Sequence, residues 1–277
     1  MTTETAVGAK APGAKNNWAW AGLPLLVIGV VLFAVPHYGT SWRPWVFLGV
    51  MALLAVELAV VGQLLDRGLM GAFIDNRNRI SLSKLQAGAW TVVVLSAFAT
   101  AAAFNAALPG ISYGTVANLS VVIPGELLLA MGISATSLVA TPALLSLKSD
   151  EDASGAALQQ AADRTGKTIV ANGKVATKST PADASWGDLV TGDEVGNVGT
   201  PDLGKIQQLL ITLILLASYA DYVFQAFAAP VGPIGQLPAV DKSFVWLLGL
   251  SHASYLAYKA APHTKDAAPD PAQGAQP

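Results

Sequence analysis

Three ionisable side chains, Glu57, Asp221 and His252, fall inside long apolar stretches of the chain. A titratable group in hydrocarbon is expensive, and by default it marks a proton relay, an ion path or a paired polar contact. At about 1.5 Å of rise per residue, Glu57 and His252 lie near the middle of their stretches and Asp221 in the outer third. A Glu57–His252 pair would relay protons or gate an ion, and the same two groups would equally serve as a structural hydrogen bond. These three residues form the candidate intramembrane polar site. No His-Glu-x-x-His, no Gly-x-Ser-x-Gly and no cysteine occurs, so no catalytic residue, cofactor site or metal site is expected. "RTGKT" (164–168) superficially matches a phosphate loop, but the required first glycine falls on Ala161 and no strand is expected before it. It is set aside.

The elements that must position these residues follow from composition. Of 277 residues, 53% are hydrophobic and 12% charged, about half the charge of a typical soluble domain. Six stretches, about 18–36, 44–65, 85–107, 124–146, 205–228 and 243–260, are apolar all round and near the roughly 20 residues that cross a bilayer. The first is read as an uncleaved span, since its apolar run is too long for a signal peptide and no cleavage site follows. Fourteen of the 16 Lys and Arg residues fall on one side of such a layout, leaving Arg43 and Lys242 on the other. That places both termini in the cytoplasm. The fold class expected is an all-α membrane protein of six transmembrane helices with a small cytoplasmic insertion.

Two of the hairpins look like copies. "LSKLQAGAWT" (82–91) and "LGKIQQLLIT" (203–212) share a register at an offset of 121 that pairs Lys84 with Lys205, Gln86 with Gln207 and Thr91 with Thr212. A second block, at an offset of 117, pairs Gly132 with Gly249 and Ser134 with Ser251. Two copies of a two-span hairpin would be related by an axis along the membrane normal. Gly132, Thr136 and Ala140 in one copy, and Gly249, Ala253 and Ala257 in the other, recur at helical spacing and are expected to let helices approach closely. Lys84 and Lys205 would sit at headgroup level, while Gln86 and Gln207 would need partners on other helices.

The chain then divides into a disordered cytoplasmic tail (1–17), a first transmembrane hairpin (18–66), repeat 1 (72–146), a cytoplasmic insertion (147–200), repeat 2 (201–262) and a second disordered tail (263–277). Within the insertion, 149–164 reads as a short helix or linker. "TIVANGKVAT" (168–177) reads as a hairpin with Asn172 and Gly173 both at positive φ in the turn. "TPADASWGDL" (180–189) reads as a helix start capped by Thr180. Trp186, Leu189 and Val190 would share one face that touches the membrane surface or the spans.

The phrases "NRISLSKLQAGAWTVVVLSAF", "MGISATSLVATP", "GDEVGN" and "LLGLSHASYLAYKAAP" resemble an uncharacterised family of bacterial polytopic membrane proteins, over about residues 72–146 and 183–262. The resemblance implies a bacterial inner membrane and carries no activity, cofactor or catalytic residue. The residues themselves support a non-enzymatic scaffold or anchor that presents residues 147–200 to a cytoplasmic protein partner. The alternative is an oligomeric ion or proton channel or transporter using Glu57, Asp221 and His252. The lipid bilayer is the expected environment, a homo-oligomer is compatible, and nucleic acid is not expected because no basic stripe occurs.

Overall fold

The computed structural model describes residues 18–108, 120–229 and 232–264. Both tails expected to be disordered, apart from His263 and Thr264, and most of the loop around Ser112 lie outside the described residues. The chain is mainly helical: α1 (Gly22–Ala34), α2 (Arg43–Leu64), α3 (Leu82–Ala106), α4 (Gly125–Ser149), α5 (Gly155–Thr165), α6 (Leu203–Ala228) and α7 (Lys242–Ala260). One hairpin, β1 (Val170–Asn172) with β2 (Val175–Thr177), lies between α5 and α6. Four of the described helices are long and apolar enough to cross a membrane, those around α2, α3, α4 and α6. α1 is shorter, even with the tight turn that carries it to Tyr38. α7 has 19 residues and carries Lys242, His252 and Lys259.

The helices start where the sequence supplies caps. Ser81 accepts from the backbone N–H of Lys84 and Asp202 from that of Lys205, so α3 and α6 begin at equivalent leucines, Leu82 and Leu203. A side-chain oxygen at this position satisfies one of the donors that a helix start leaves open. α3 lies against α2, α4 and α6, and α7 lies against α4 and α6. The shared core contains Trp90, Tyr219, Phe47, Phe227, Leu127 and Leu248, all nearly inaccessible. Phe47 meets Phe227 edge-on at 5.8 Å, and Trp90 meets Phe244 edge-on at the same distance, a geometry that the aromatic quadrupole favours.

Close helix approach uses different small residues from those the sequence pattern suggests. On α3, Ala97 and Ala101 are fully buried. On α4 the inward face is Ala130, Ser134, Ser137 and Thr141, whereas Gly132 and Thr136 are exposed. Residues two apart on a helix are rotated by roughly 200°, so the Gly132 stripe faces away from the neighbouring helices. A Cβ added at Gly132 would meet nothing within 4 Å, while one at Gly249 would touch Ile133 at 3.5 Å. The two glycines are therefore not equivalent contacts.

The outer ends are tied as well. Asn105 forms two hydrogen bonds with the backbone of Ile234, each 2.8 Å. The segments leading into α4 and α7 pair through Val122 and Leu237, whose N–H groups bond Gly235 O and Val122 O at 2.9 Å. Arg43 donates to Gly232 O at 3.0 Å and stands 5.8 Å over the Phe104 ring.

In the insertion, α5 is capped by Ser154 and ends at Gly166 in the left-handed region. In the hairpin, Asn172 is the last strand residue, paired with Val175. Gly173 alone supplies positive φ (56°), so the turn is Gly173–Lys174 and the expected two-residue Asn172–Gly173 turn is displaced by one. The cause is tertiary: the turn rests on the end of α4, where Lys174 N–H bonds Lys148 O at 3.1 Å. Thr180 caps only a single tight turn, Pro181–Asp183. Leu189 is buried with Ile74, Ile80 and Leu82, but Trp186 is 61% exposed, so they do not share a face.

This packing predicts opposite outcomes for two leucine substitutions. Ala101→Leu should lower the melting free energy in detergent by about 1–3 kcal/mol through overpacking. Gly132→Leu should be neutral or stabilise by up to about 1 kcal/mol, because helix propensity improves and nothing is displaced. Equal sensitivity at both sites would contradict the assigned inward faces.

Candidate functional site

The insertion is fastened to the helices through two adjacent acids, Asp193 and Glu194. Asp193 Oδ1 accepts from Arg77 and from Lys205, both at 2.9 Å, and Arg79 approaches at 3.9 Å. Its other oxygen accepts from Lys259. Glu194 takes Lys148 Nζ on one oxygen. Its other oxygen accepts the backbone N–H groups of His263 at 2.9 Å and Thr264 at 3.0 Å. Lys148 Nζ also bonds the carbonyls of Lys259 and Ala261. The α2–α3 loop, the end of α4, the start of α6 and the end of α7 thus all converge on two neighbouring side chains.

Local sequence explains how those acids are aimed. They belong to "GDEVGN" (192–197). Glu194 N–H bonds Asn197 Oδ1 at 2.9 Å, which closes the turn. A Cβ at Gly192 would collide with Asn197, and one at Gly196 with the backbone of His263 and Thr264. Val195 is fully buried, and its N–H bonds Lys174 O at 2.9 Å, which ties the motif to the hairpin. His263 and Thr264, assigned to a disordered tail by composition, are held here; Thr264 is buried.

A third acid, Asp188, bonds Lys178 Nζ at 2.8 Å and the N–H of Ile80 at 3.2 Å, with Arg79 Nε at 3.5 Å. Burial pushes the Asp193 carboxyl up, but Arg77, Lys205, Lys259 and Arg79 outweigh that and hold it well below the usual carboxylate range. Burial likewise works against the Arg77 charge, yet Asp193 and Asp75 raise its pKa above the ordinary value. Charges this deep persist only when paired and hydrogen-bonded.

A second polar cluster lies among the helices. Gln86 Nε2 donates to Thr212 Oγ1 at 2.8 Å and to Gln208 O at 3.3 Å. Gln208 Nε2 donates to Gln86 Oε1 at 2.9 Å and lies 3.1 Å from His252 Nδ1. Ser137 Oγ is 2.6 Å from the same ring nitrogen. Since Gln208 Nε2 can only donate, His252 Nδ1 is the acceptor there and Nε2 carries the proton. His252 Nε2, Gln208 Oε1 and the hydroxyls of Ser134 and Ser251 are buried without a hydrogen-bond partner among the described residues.

The predicted residues are therefore distributed. Gln86 and Thr212 are bonded to each other, as amides and hydroxyls between helices should be. The interhelical amide of α6 is Gln208; Gln207 is exposed, because one residue is a rotation of about 100°. Thr91 is exposed and bonds its own helix at Ala87 O. Lys205 is buried in the ionic cluster rather than at headgroup level, while Lys84 donates to Ile74 O at 2.8 Å. Glu57, Asp221 and His252 do not meet. Glu57 lines a groove beside Lys84 and Thr91, Asp221 is exposed, and His252 is enclosed by α4 and α6. Sequence pattern does not single out Asp193, Glu194 or Gln208. The usable signal is an acidic pair between Gly192 and Gly196, on the side of the layout that carries fourteen of the 16 Lys and Arg residues.

Comparison with family models, curated proteins and solved structures returns no match. The geometry alone must carry the function.

Both clusters can be tested by substitution. Asp193→Asn leaves four buried cations short of their shared anion and should cost about 3–5 kcal/mol, read as a lower melting temperature in detergent. Because Asp193 is depressed in the folded state, its contribution is complete above the ordinary carboxylate pKa of about 3.9. It is lost as the pH falls through the lower folded value, so the gap in melting temperature between the wild type and Asp193→Asn should stay constant from about pH 7 to 5 and narrow below about 4. The Asp193→Asn variant, lacking that acid, should show a shallower acid limb. Gln86→Leu, which strands Gln208 and Thr212, should cost about 1–3 kcal/mol, and Gln207→Leu should change stability by less than about 0.5 kcal/mol.

Proposed function

We propose that this chain is a non-enzymatic integral membrane scaffold that holds its insertion, residues 147–200, at a fixed position for a cytoplasmic protein partner. The observation that carries this reading is the convergence of Arg77, Arg79, Lys205 and Lys259 on Asp193. A module fastened to several helix ends through one buried anion is placed rigidly, which suits presentation of a surface. The exposed Trp186 and Val170 give that surface two apolar anchors, 61% and 45% accessible; aromatic anchors are the usual centres of binding energy.

The reading keeps six spans and a bacterial inner membrane with cytoplasmic termini. α7 is about 28 Å long, close to the roughly 30 Å of a bilayer core. The matched caps at Ser81 and Asp202 and the pairing of the segments before α4 and α7 support the duplication. The larger cavities along the helices are lateral and mostly apolar, lined for example by Leu129, Val245 and Trp246 between α4 and α7. Lateral apolar grooves of this kind favour a scaffold over transport.

A second reading, an oligomeric ion or proton channel or transporter, draws on the unpartnered His252 Nε2 and Gln208 Oε1 at the bundle centre. It would run through His252 and Gln208, with Glu57 and Asp221 outside that cluster.

Photo-crosslinkers placed at Trp186 and Val170 in living cells should capture one discrete protein adduct, with none from the buried Val195. Reconstituted vesicles should show no ion or proton flux above protein-free vesicles between pH 5 and 8. Flux that vanishes in His252→Ala, with no adduct from the insertion, would replace the scaffold with the transporter.

A further inference from the structure

We propose that the cytoplasmic end of α3 binds a single-chain glycerophospholipid. Lys84 would hold its phosphate, Glu57 would accept its free glycerol hydroxyl, and a lateral groove would take its acyl chain. The proposal rests on the chain being membrane-embedded and not on the scaffold reading, so the two can fail separately.

Two cavities of opposite character meet here. One, of about 250 Å³, is the more polar and is lined by Asp75, Asn76, Arg77, Thr141 and Asn172 among others, with the Asp75 carboxylate paired to Arg77 at 2.6 Å. The other, of about 450 Å³, is a mostly apolar trough lined by Leu54, Leu58, Phe73 and Leu95 together with Glu57. Lys84 and Leu138 line both. A polar chamber opening onto an apolar trough matches an amphiphile, and an ammonium at the junction matches its phosphate.

Lys84 is set apart from the other lysines packed at this end. Lys148, Lys174, Lys178, Lys205 and Lys259 each meet a carboxylate. Lys84 makes no ion pair among the described residues and donates only to Ile74 O. An ammonium has three donors, so two are left for a ligand. The exposed side chains of Asn76 and Asn172 line the mouth of the same chamber.

Glu57 selects among phospholipids. Its Oε2 is shielded from solvent and has no hydrogen-bond partner among the described residues, and an acceptor left in that state is costly. A diacyl lipid brings only ester carbonyls to this depth, which are acceptors too. A monoacyl lipid brings a hydroxyl, which donates. Glu57 lies seven residues from the inner end of α2 and Lys84 two residues into α3, so the carboxyl sits roughly 7 Å deeper. A glycerol backbone with a hydrogen bond at each end spans that distance. The groove is one trough between α2 and α3, with room for one chain.

The test uses the full chain purified in detergent, with lysophosphatidylglycerol titrated and occupancy read by native mass spectrometry. One saturable site per chain is expected. Lys84→Gln should weaken it about tenfold, the loss of one charge-assisted hydrogen bond. Ala87→Trp, which fills the trough, should abolish binding. Glu57→Leu should remove the preference for lysophosphatidylglycerol over phosphatidylglycerol. Lys242→Gln, at the opposite end of the helices, should leave all of these unchanged. Gel filtration and melting temperature establish that each variant is folded, and Lys84→Gln alone carries the test if Ala87→Trp is not. Binding that ignores Lys84→Gln would be annular lipid and would overturn the site. Equal affinity for the diacyl lipid in the wild type would overturn the role of Glu57, and displacement by glycerol phosphate alone would overturn the role of the groove.

Discussion

One buried carboxylate organises the half of this protein that carries the insertion. Asp193 sits among four cations that reach it from the α2–α3 loop, α6 and α7. Arg77 keeps a second carboxylate in Asp75, but Arg79, Lys205 and Lys259 meet carboxylates only in the insertion among the described residues. Displacing the insertion would therefore leave those three as unpaired buried charges, which are costly. Glu194 extends the same logic to α4 and to the backbone that follows α7.

The apolar half is held by different means. There the helices are drawn together by fully buried alanines on α3, by aromatic side chains that interlock around Trp90 and Phe47, and by amides that find one another across helices. Charge is concentrated at the end that carries the insertion, and directional but neutral contacts sit in the middle. That division suits apolar surroundings, which penalise an ion far more than an amide whose donors and acceptors are met.

Periodicity and local chemistry are legible in the sequence. Apolar runs locate the helices, Ser81 and Asp202 set the starts of α3 and α6, and the small-residue composition of the spans signals close packing. Rotation about the helix axis is not legible. Gln207 and Gln208 are adjacent glutamines, and only the position of α3 decides which one is buried. The Gly132 stripe misleads for the same reason: in a helix apolar on every side, composition does not reveal which face meets protein. A Glu57–His252 pair is suggested by depth alone, and depth does not distinguish two sides of a bundle. Asp193 and Glu194 are hidden because their partners are distant in sequence, and an acid between glycines reads as a surface turn until its neighbours in space are known.

The grip of Glu194 on the backbone of His263 and Thr264 has a bearing on how the molecule comes apart. Those residues are the last described before the C-terminus, and they close over the motif against Gly196, where no side chain would fit. The strands and loops of the insertion, the end of α4 and the residues that follow α7 are thus tied into one cooperative block. Local opening free energies should be nearly uniform across that block instead of falling away beyond α7. In hydrogen exchange the amides of His263 and Thr264 would then report the lifetime of the whole block, although neither belongs to a helix or a strand.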